Sequence, residues 1–291
     1  MKNYFNEYNS AQDSISLKKQ TIIKNHISHY PVLEELLGFQ YYLNRKFTEF
    51  FNSLQDPTDL KKFQAELFVY LLFFYNTQSL QTAFNALECD TIHQSAVNIR
   101  TVYESIPKMY YISLFPEEVG KITVHEYICD LSYEEALKEL KGEDCMTCLD
   151  GQELKFETKN DFYNFKREYA PNAFRSKLYT KQHKILLQNL YSKFSNSTHP
   201  NITRNNTSVI YDSANTDLFF EFLKSLSYFN IESYLEGSLE LLRKIGLDQE
   251  IVTFLNRISH EIKTIYEDVY FFPDKDNLKR KLKTSPTPSK K

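Results

Sequence analysis

Six glycines and nine prolines are all that punctuate a chain of 291 residues. Tight turns draw on these residues, so a fold with many turns is poorly served, whereas long helices need few of them. Apolar residues recur at three- and four-residue steps through most of the chain, the spacing of helix faces packed on a core. The expected fold class is therefore all-α (mainly α), an antiparallel bundle of long helices. Aromatics are unusually frequent, with 23 Phe and 21 Tyr and no Trp.

The periodicity sets provisional bounds. A first helix is expected over 14–29, stopping before Pro31, and a second over 32–54, ending before Asp56-Pro57. A third starts near Thr58 or Asp59, either of which can cap it, and runs towards Leu87. A fourth covers 91–114 with Pro107 inside, which should kink it. Over 116–171 apolar density falls, charge rises and three of the four cysteines appear. This segment reads as an insert or subdomain on a bundle domain made of 1–115 and 172–273. Inside it, 132–140 resembles a short capped helix and 154–158 a brief extended segment. A helix is expected over 181–194, followed by a polar loop over 195–204. Two more cover 217–244 and 248–272, with Gly246 as the C-cap between them. Residues 274–291 read as a disordered basic tail.

Charge narrows the class of partner. The net charge is -3. The tail holds seven basic and two acidic residues, which leaves the body with 28 basic against 36 acidic. An acidic body is unsuited to broad duplex binding, but a local basic cleft is compatible with it. The N-terminus lacks the apolar core of a signal peptide. The longest apolar run, 67–75, is far short of the roughly 20 residues that span a bilayer. Four N-x-[ST] sequons at Asn196, Asn201, Asn205 and Asn206 fall together and read as a polar loop. The expectation is a cytoplasmic protein with reduced cysteines and no membrane association. The tail run Lys279-Arg-Lys-Leu-Lys283 reads as a solubilising terminus.

The chemistry-bearing residues begin on the fourth helix. Arg100 and Glu104 lie four apart in a stretch otherwise apolar and aromatic, so both charges share a face. His93, Val97 and Tyr111 fall near the same stripe. Two uses fit. In one, Arg100 grips an anionic group and Glu104 orients it or a partner base. In the other, the two form a structural ion pair that keeps the bundle in register. Farther on, His199 follows a helix end among hydroxyls and amides. It can act as a general acid or base near neutral pH, or cap the helix.

Together the strings Ile99-Arg-Thr-Val-Tyr-Glu-Ser105 and Tyr191-Ser-Lys-Phe-Ser-Asn-Ser-Thr-His199 resemble the helical proteins of the HEPN class and related abortive-infection proteins. Those often pair an R-x3-E helix with a later Tyr/Ser-rich segment ending in His. The resemblance covers about 60–246, outside the cysteine segment and the tail. It implies a helical bundle of prokaryotic defence or toxin type, often a metal-independent ribonuclease and in other members an inactive binding module. It implies RNA as a partner, a homodimer, and Arg100, Glu104 and His199 as the site. The chain departs from the active members' pattern, in which Arg and His are separated by four to six residues. Arg175 and His183 have seven between them, and Arg257 and His260 have two.

His125, Cys129, Cys145 and Cys148 form H-x3-C…C-x2-C, a spacing suited to a structural zinc. Ordinary surface cysteines or a redox pair fit the same residues. Four protein ligands leave no open position, so such an ion would brace the insert without catalysing. The P-loop, dinucleotide-binding, H-E-x-x-H and G-x-S-x-G patterns are all absent. The alternative to an RNA-acting protein is a non-catalytic helical module that binds a partner protein or small ligand, its insert stapled by zinc.

Overall fold

The computed structural model describes residues 2–54, 63–89, 91–139, 156–170, 173–174 and 213–266. Among these residues there are ten α-helices and no strand. In chain order they are α1 (Lys2–Asn25), α2 (Tyr30–Ser53), α3 (Gln64–Glu88), α4 (Ile92–Leu114), α5 (Val119–Ile128), α6 (Tyr133–Glu139), α7 (Lys159–Glu168), α8 (Ser213–Gly237), α9 (Leu239–Lys244) and α10 (Asp248–Tyr266). Short 3-10 turns cover Ile27–His29 and Pro116–Glu118. None of these helices is long and apolar enough to cross a membrane.

Several boundaries follow local chemistry. Pro31 does not open a gap. It occupies the first turn of α2, where its missing N–H would lack a partner anyway. α1 starts well before the expected residue 14. α6 begins with a reciprocal cap, in which Glu135 Oε2 accepts from Ser132 N at 2.8 Å and Ser132 Oγ accepts from Glu135 N at 3.3 Å. Gly246 has φ +73°, the left-handed conformation of a helix C-cap, and separates α9 from α10. The single helix expected over 217–244 is instead broken at Ser238 (φ -131°), directly after Gly237. Glycine weakens a helix interior, and here the chain uses it to end one. The expected helix over 181–194 and the tail lie outside the described residues.

α3, α4 and α8 pack most extensively on one another, and α2 lies against α3 and α8. Their apolar faces form two clusters. The first gathers Leu43, Phe47, Phe73, Met109, Ile112, Ile231 and Tyr234. Tyr234 sits there with its ring stacked on Phe73 (4.3 Å between centroids) and edge-on to Phe47 (4.7 Å). Helices α5, α6 and α7 pack into the same cluster through Ile122, Val124, Ile128, Ala136, Phe162 and Phe165. The second cluster gathers Tyr30, Leu33, Leu37, Leu80, Ala83, Phe84, Ile99, Val102, Phe220 and Leu223.

A polar layer lies between the clusters. Asn230 Nδ2 on α8 donates to Gln40 Oε1 on α2 at 2.7 Å, and Asn76 Nδ2 on α3 donates to Asn230 Oδ1 at 2.8 Å. Asn76 Nδ2 also lies 3.2 Å from Met109 Sδ on α4, and Gln40 Nε2 donates to the Leu36 carbonyl at 3.2 Å. Gln40, Asn76 and Asn230 are at most 1% exposed. Along α3 and α8 the asparagines separate residues of one cluster from residues of the other, Phe73 from Leu80 and Leu226 from Ile231.

An amide buried this deeply is costly when its partner is removed, because the remaining group keeps its full desolvation penalty. Asn230→Ala strips Gln40 Oε1 of its shorter donor, leaving only Thr77 Oγ1 at 3.4 Å, and leaves Asn76 Nδ2 with only the weak acceptor Met109 Sδ. We expect a loss of about 1–3 kcal/mol in urea unfolding. A change below about 0.5 kcal/mol, the size of an ordinary surface substitution, would contradict this role.

Candidate functional site

Among the described residues, His26 and His29 gather with Asp217 into one close polar group where α1 meets α2. The chain leaves α1 at Asn25 and turns through Ile27–His29 before α2 starts. His26 N bonds to the Ile22 carbonyl and His29 N to the His26 carbonyl, each at 3.0 Å, so the turn is tight and its backbone satisfied. Its two histidines are 6% and 8% exposed. The facing helix is α8, where Asp217, Glu221 and Lys224 recur at steps of four and three, one helix stripe.

Phe220 forms the floor. Its ring stacks on His29 at 5.2 Å, nearly parallel (3°), and lies 5.2 Å from His26. Tyr30 and Phe84 pack against the same ring. The apolar floor makes the polar contacts above it directional. His26 Nδ1 lies 2.6 Å from Asp217 Oδ1, and His29 Nε2 lies 3.1 Å from the same oxygen. The other nitrogen of His29, Nδ1, lies 3.0 Å from Glu221 Oε1. That contact has the length of an ion pair but is misdirected for a hydrogen bond, and both His29 Nδ1 and Glu221 Oε2 are buried without a hydrogen-bond partner. Lys224 Nζ donates to Glu221 Oε1 at 2.6 Å. Glu221 and Lys224 are themselves largely shielded, at 15% and 6%, whereas Asp217 is 55% exposed and faces solvent.

Electrostatics favour two ionised carboxylates. Burial is the largest single influence on Asp217 and on Glu221, and pushes both up. The contacts of His26 and His29 with Asp217, and of His29 and Lys224 with Glu221, outweigh it and hold both below the ordinary carboxylate value. Two carboxylates and one ammonium thus surround the two imidazoles. Chemically, such a group can share protons among its members or hold a cation.

Sequence reasoning missed this site. The H-x2-H spacing at His26 and His29 and the D-x3-E spacing at Asp217 and Glu221 are both visible in the chain, but 188 positions separate His29 from Asp217. Neither half marks the other.

The expected Arg100–Glu104 pair forms. Arg100 Nε donates to Glu104 Oε1 at 3.1 Å, with the side chains 24% and 25% exposed. Both also take part in further interactions. A helix pair of this spacing contributes about 0.2–0.5 kcal/mol, and the order Arg then Glu is the less favourable one for the helix dipole. The neighbours Ile99, Val102 and Tyr103 belong to the second cluster, which also holds Phe220. The pair and the histidine group therefore border one apolar cluster. Tyr111 does not join them. It packs in the first cluster against Phe115 and Phe174.

Of the expected zinc ligands, His125 and Cys129 are described. His125 is 5% exposed, its Nε2 donates to the Lys166 carbonyl at 3.1 Å, and its Nδ1 is buried without a hydrogen-bond partner. Burial lowers its pKa, so the ring is neutral near pH 7. Cys129 Sγ donates to the Glu126 carbonyl at 3.3 Å, and burial pushes its thiol up. Cys145, Cys148 and His199 lie outside the described residues, as does the side chain of His93. Comparison with protein-family models, curated proteins and solved structures finds no match.

The depressed carboxyls carry a pH signature. A group held below its unfolded value of about 4 adds stability above that pH, and the gain is lost as pH falls through the lower folded value. We expect the urea stability gap between wild type and Glu221→Gln to close progressively as pH falls below about 4. A gap that does not change with pH would contradict the assignment.

Proposed function

We propose that this chain is a HEPN-like helical-bundle protein of prokaryotic defence or toxin type that acts on RNA through a polar centre containing Arg100, Glu104 and His199. The observation that carries the reading is the formed, largely shielded Arg100–Glu104 pair on α4, a helix packed at the middle of an all-α bundle. The pair contributes too little stability to account for two charges in so apolar a helix. A guanidinium held beside a carboxylate is oriented for bidentate contact with a phosphate. In this reading His199 transfers a proton at the ribose 2′-hydroxyl or the leaving oxygen, and Arg100 stabilises the charge developing on phosphorus-bound oxygen. The chemistry requires no metal. The site is completed within one chain or across a homodimer.

The test is RNA cleavage by purified protein with chelator present. Wild type should cleave, while His199→Ala and Arg100→Ala should each lose about 100-fold or more, the usual size of general acid–base catalysis. Equal cleavage by all three, or none, would end the ribonuclease reading.

A second reading has its own observation. The buried, unpartnered Nδ1 of His125, with Nε2 fixed on a carbonyl, is the arrangement of a metal-ligating histidine. Joined by Cys129, Cys145 and Cys148, it would hold a structural zinc in a non-catalytic module that binds a partner protein. Freshly purified, reduced protein should then contain zinc, of which about one ion per chain is lost in Cys145→Ser. A zinc content near zero would exclude it.

A further inference from the structure

We propose that His26, His29 and Asp217 hold a divalent transition-metal ion, zinc foremost, with one coordination position open to solvent. The site is separate from both the Arg100 centre and the cysteine segment. The ligating atoms are His26 Nδ1, His29 Nε2 and a carboxylate oxygen of Asp217, which lie within 4.8 Å of one another.

Four observations converge on this assignment. The two imidazoles are buried, and they are fixed by packing on Phe220 and by a tight backbone turn, so little side-chain freedom remains to be lost on binding. The donor set of two imidazoles and a carboxylate suits zinc, and also cobalt, nickel, iron or manganese, better than calcium or magnesium. Asp217 and Glu221 place two carboxylates against the imidazoles, with Lys224 held on Glu221, so an incoming cation meets acidic oxygens. Finally, Glu221 Oε1 stands 3.0 Å behind His29 on the nitrogen that would not ligate. Metal-ligating histidines commonly donate that second N–H to a carboxylate, which fixes the tautomer and raises the basicity of the ligand.

Loading the site shifts protons but oxidises nothing. In the metal-free hydrogen-bonded group, His26 Nδ1–H and His29 Nε2–H point to Asp217 Oδ1. Ligation needs those lone pairs, so each ring must carry its proton on the opposite nitrogen. For His29 that nitrogen is Nδ1, 3.0 Å from Glu221 Oε1, where a turn of the carboxylate would bring the two into line as a hydrogen bond. Ligands on a tetrahedral ion at about 2.0–2.2 Å stand about 3.3 Å apart. The 3.1 Å contact already meets this spacing, and the 2.6 Å contact must open by roughly 0.7 Å. Asp217, half exposed at the edge of the group, is the side chain free to move. Three protein ligands leave the fourth position on that solvent side, where a bound water would be available as an acid or a nucleophile.

Glu221 is a positioning residue in this scheme. It acts through His29, and Lys224 keeps it ionised. Its removal should weaken metal binding about 10–100-fold without abolishing it.

The experiment is calorimetric titration of chelator-stripped full-length protein with zinc, paired with the absorption spectrum of the cobalt(II) form. We expect about one ion bound at this site per chain. The cobalt spectrum of Cys129→Ser/Cys148→Ser protein should show nitrogen and oxygen ligation and no thiolate charge-transfer band. Asp217→Asn and His29→Gln should each weaken binding by at least about tenfold, and Glu221→Gln by an amount in its stated range. Circular dichroism of the metal-free variants checks folding. Should His29→Gln fail to fold, the half-exposed Asp217→Asn decides. The proposal is overturned if folded wild type takes up neither zinc nor cobalt. It is equally overturned if uptake is unchanged in Asp217→Asn, or if all uptake disappears with the cysteines.

Discussion

The buried amide chain from Gln40 through Asn230 to Asn76 is the constraint on which the rest of the structure depends. Apolar helix faces attract one another with little preference for register, since burial is non-directional. Amides are not so tolerant. A one-residue slip of α8 would take from Gln40 Oε1 and Asn76 Nδ2 their shortest bonds in a buried interior, at a cost that apolar packing alone would not impose. The layer therefore specifies how α2, α3 and α8 meet. The two apolar clusters on either side supply the bulk of the stabilisation.

Register set at the middle of the bundle is felt at its end. Asp217 lies thirteen residues before Asn230 on α8, roughly 20 Å along the helix axis. His29 lies eleven residues before Gln40, just ahead of α2. Because both helices are rigid rods pinned at the amide layer, Asp217 and Glu221 arrive opposite His26 and His29 with distances near 3 Å. Phe220, Tyr30 and Phe84 then close the apolar side of the group. The Arg100–Glu104 pair borders the same cluster through Ile99 and Tyr103, so two separate polar groups share one apolar scaffold.

What could be read from the chain was what local chemistry decides. The bounds of α4 follow the spacing of Ile92, Ala96, Ile99, Tyr103 and Ile106. The cap of α6 is written in Ser132 and Glu135, and the stop at Gly246 needs only a residue that tolerates positive φ. The Arg100–Glu104 contact was legible for the same reason, being an i, i+4 pair. The break at Ser238 was not, because a continuous apolar stripe runs across it. The histidine group was not legible at all. Its members are separated by most of the chain, and nothing in His26-Ile-Ser-His29 says which carboxylates α8 will bring to it. Single polar residues such as Gln40 or Asn230 are equally silent until their neighbours are known.

The central claim is that the bundle brings α8 into energetic contact with the turn before α2, and that Asp217 and His29 are coupled there. A double-mutant cycle measures this directly, with urea unfolding of metal-free wild type, His29→Ala, Asp217→Ala and the double variant at neutral pH. The account predicts a coupling above about 0.5 kcal/mol, the lower bound for side chains in real contact. Additive losses, with an interaction within about 0.3 kcal/mol of zero, would contradict it.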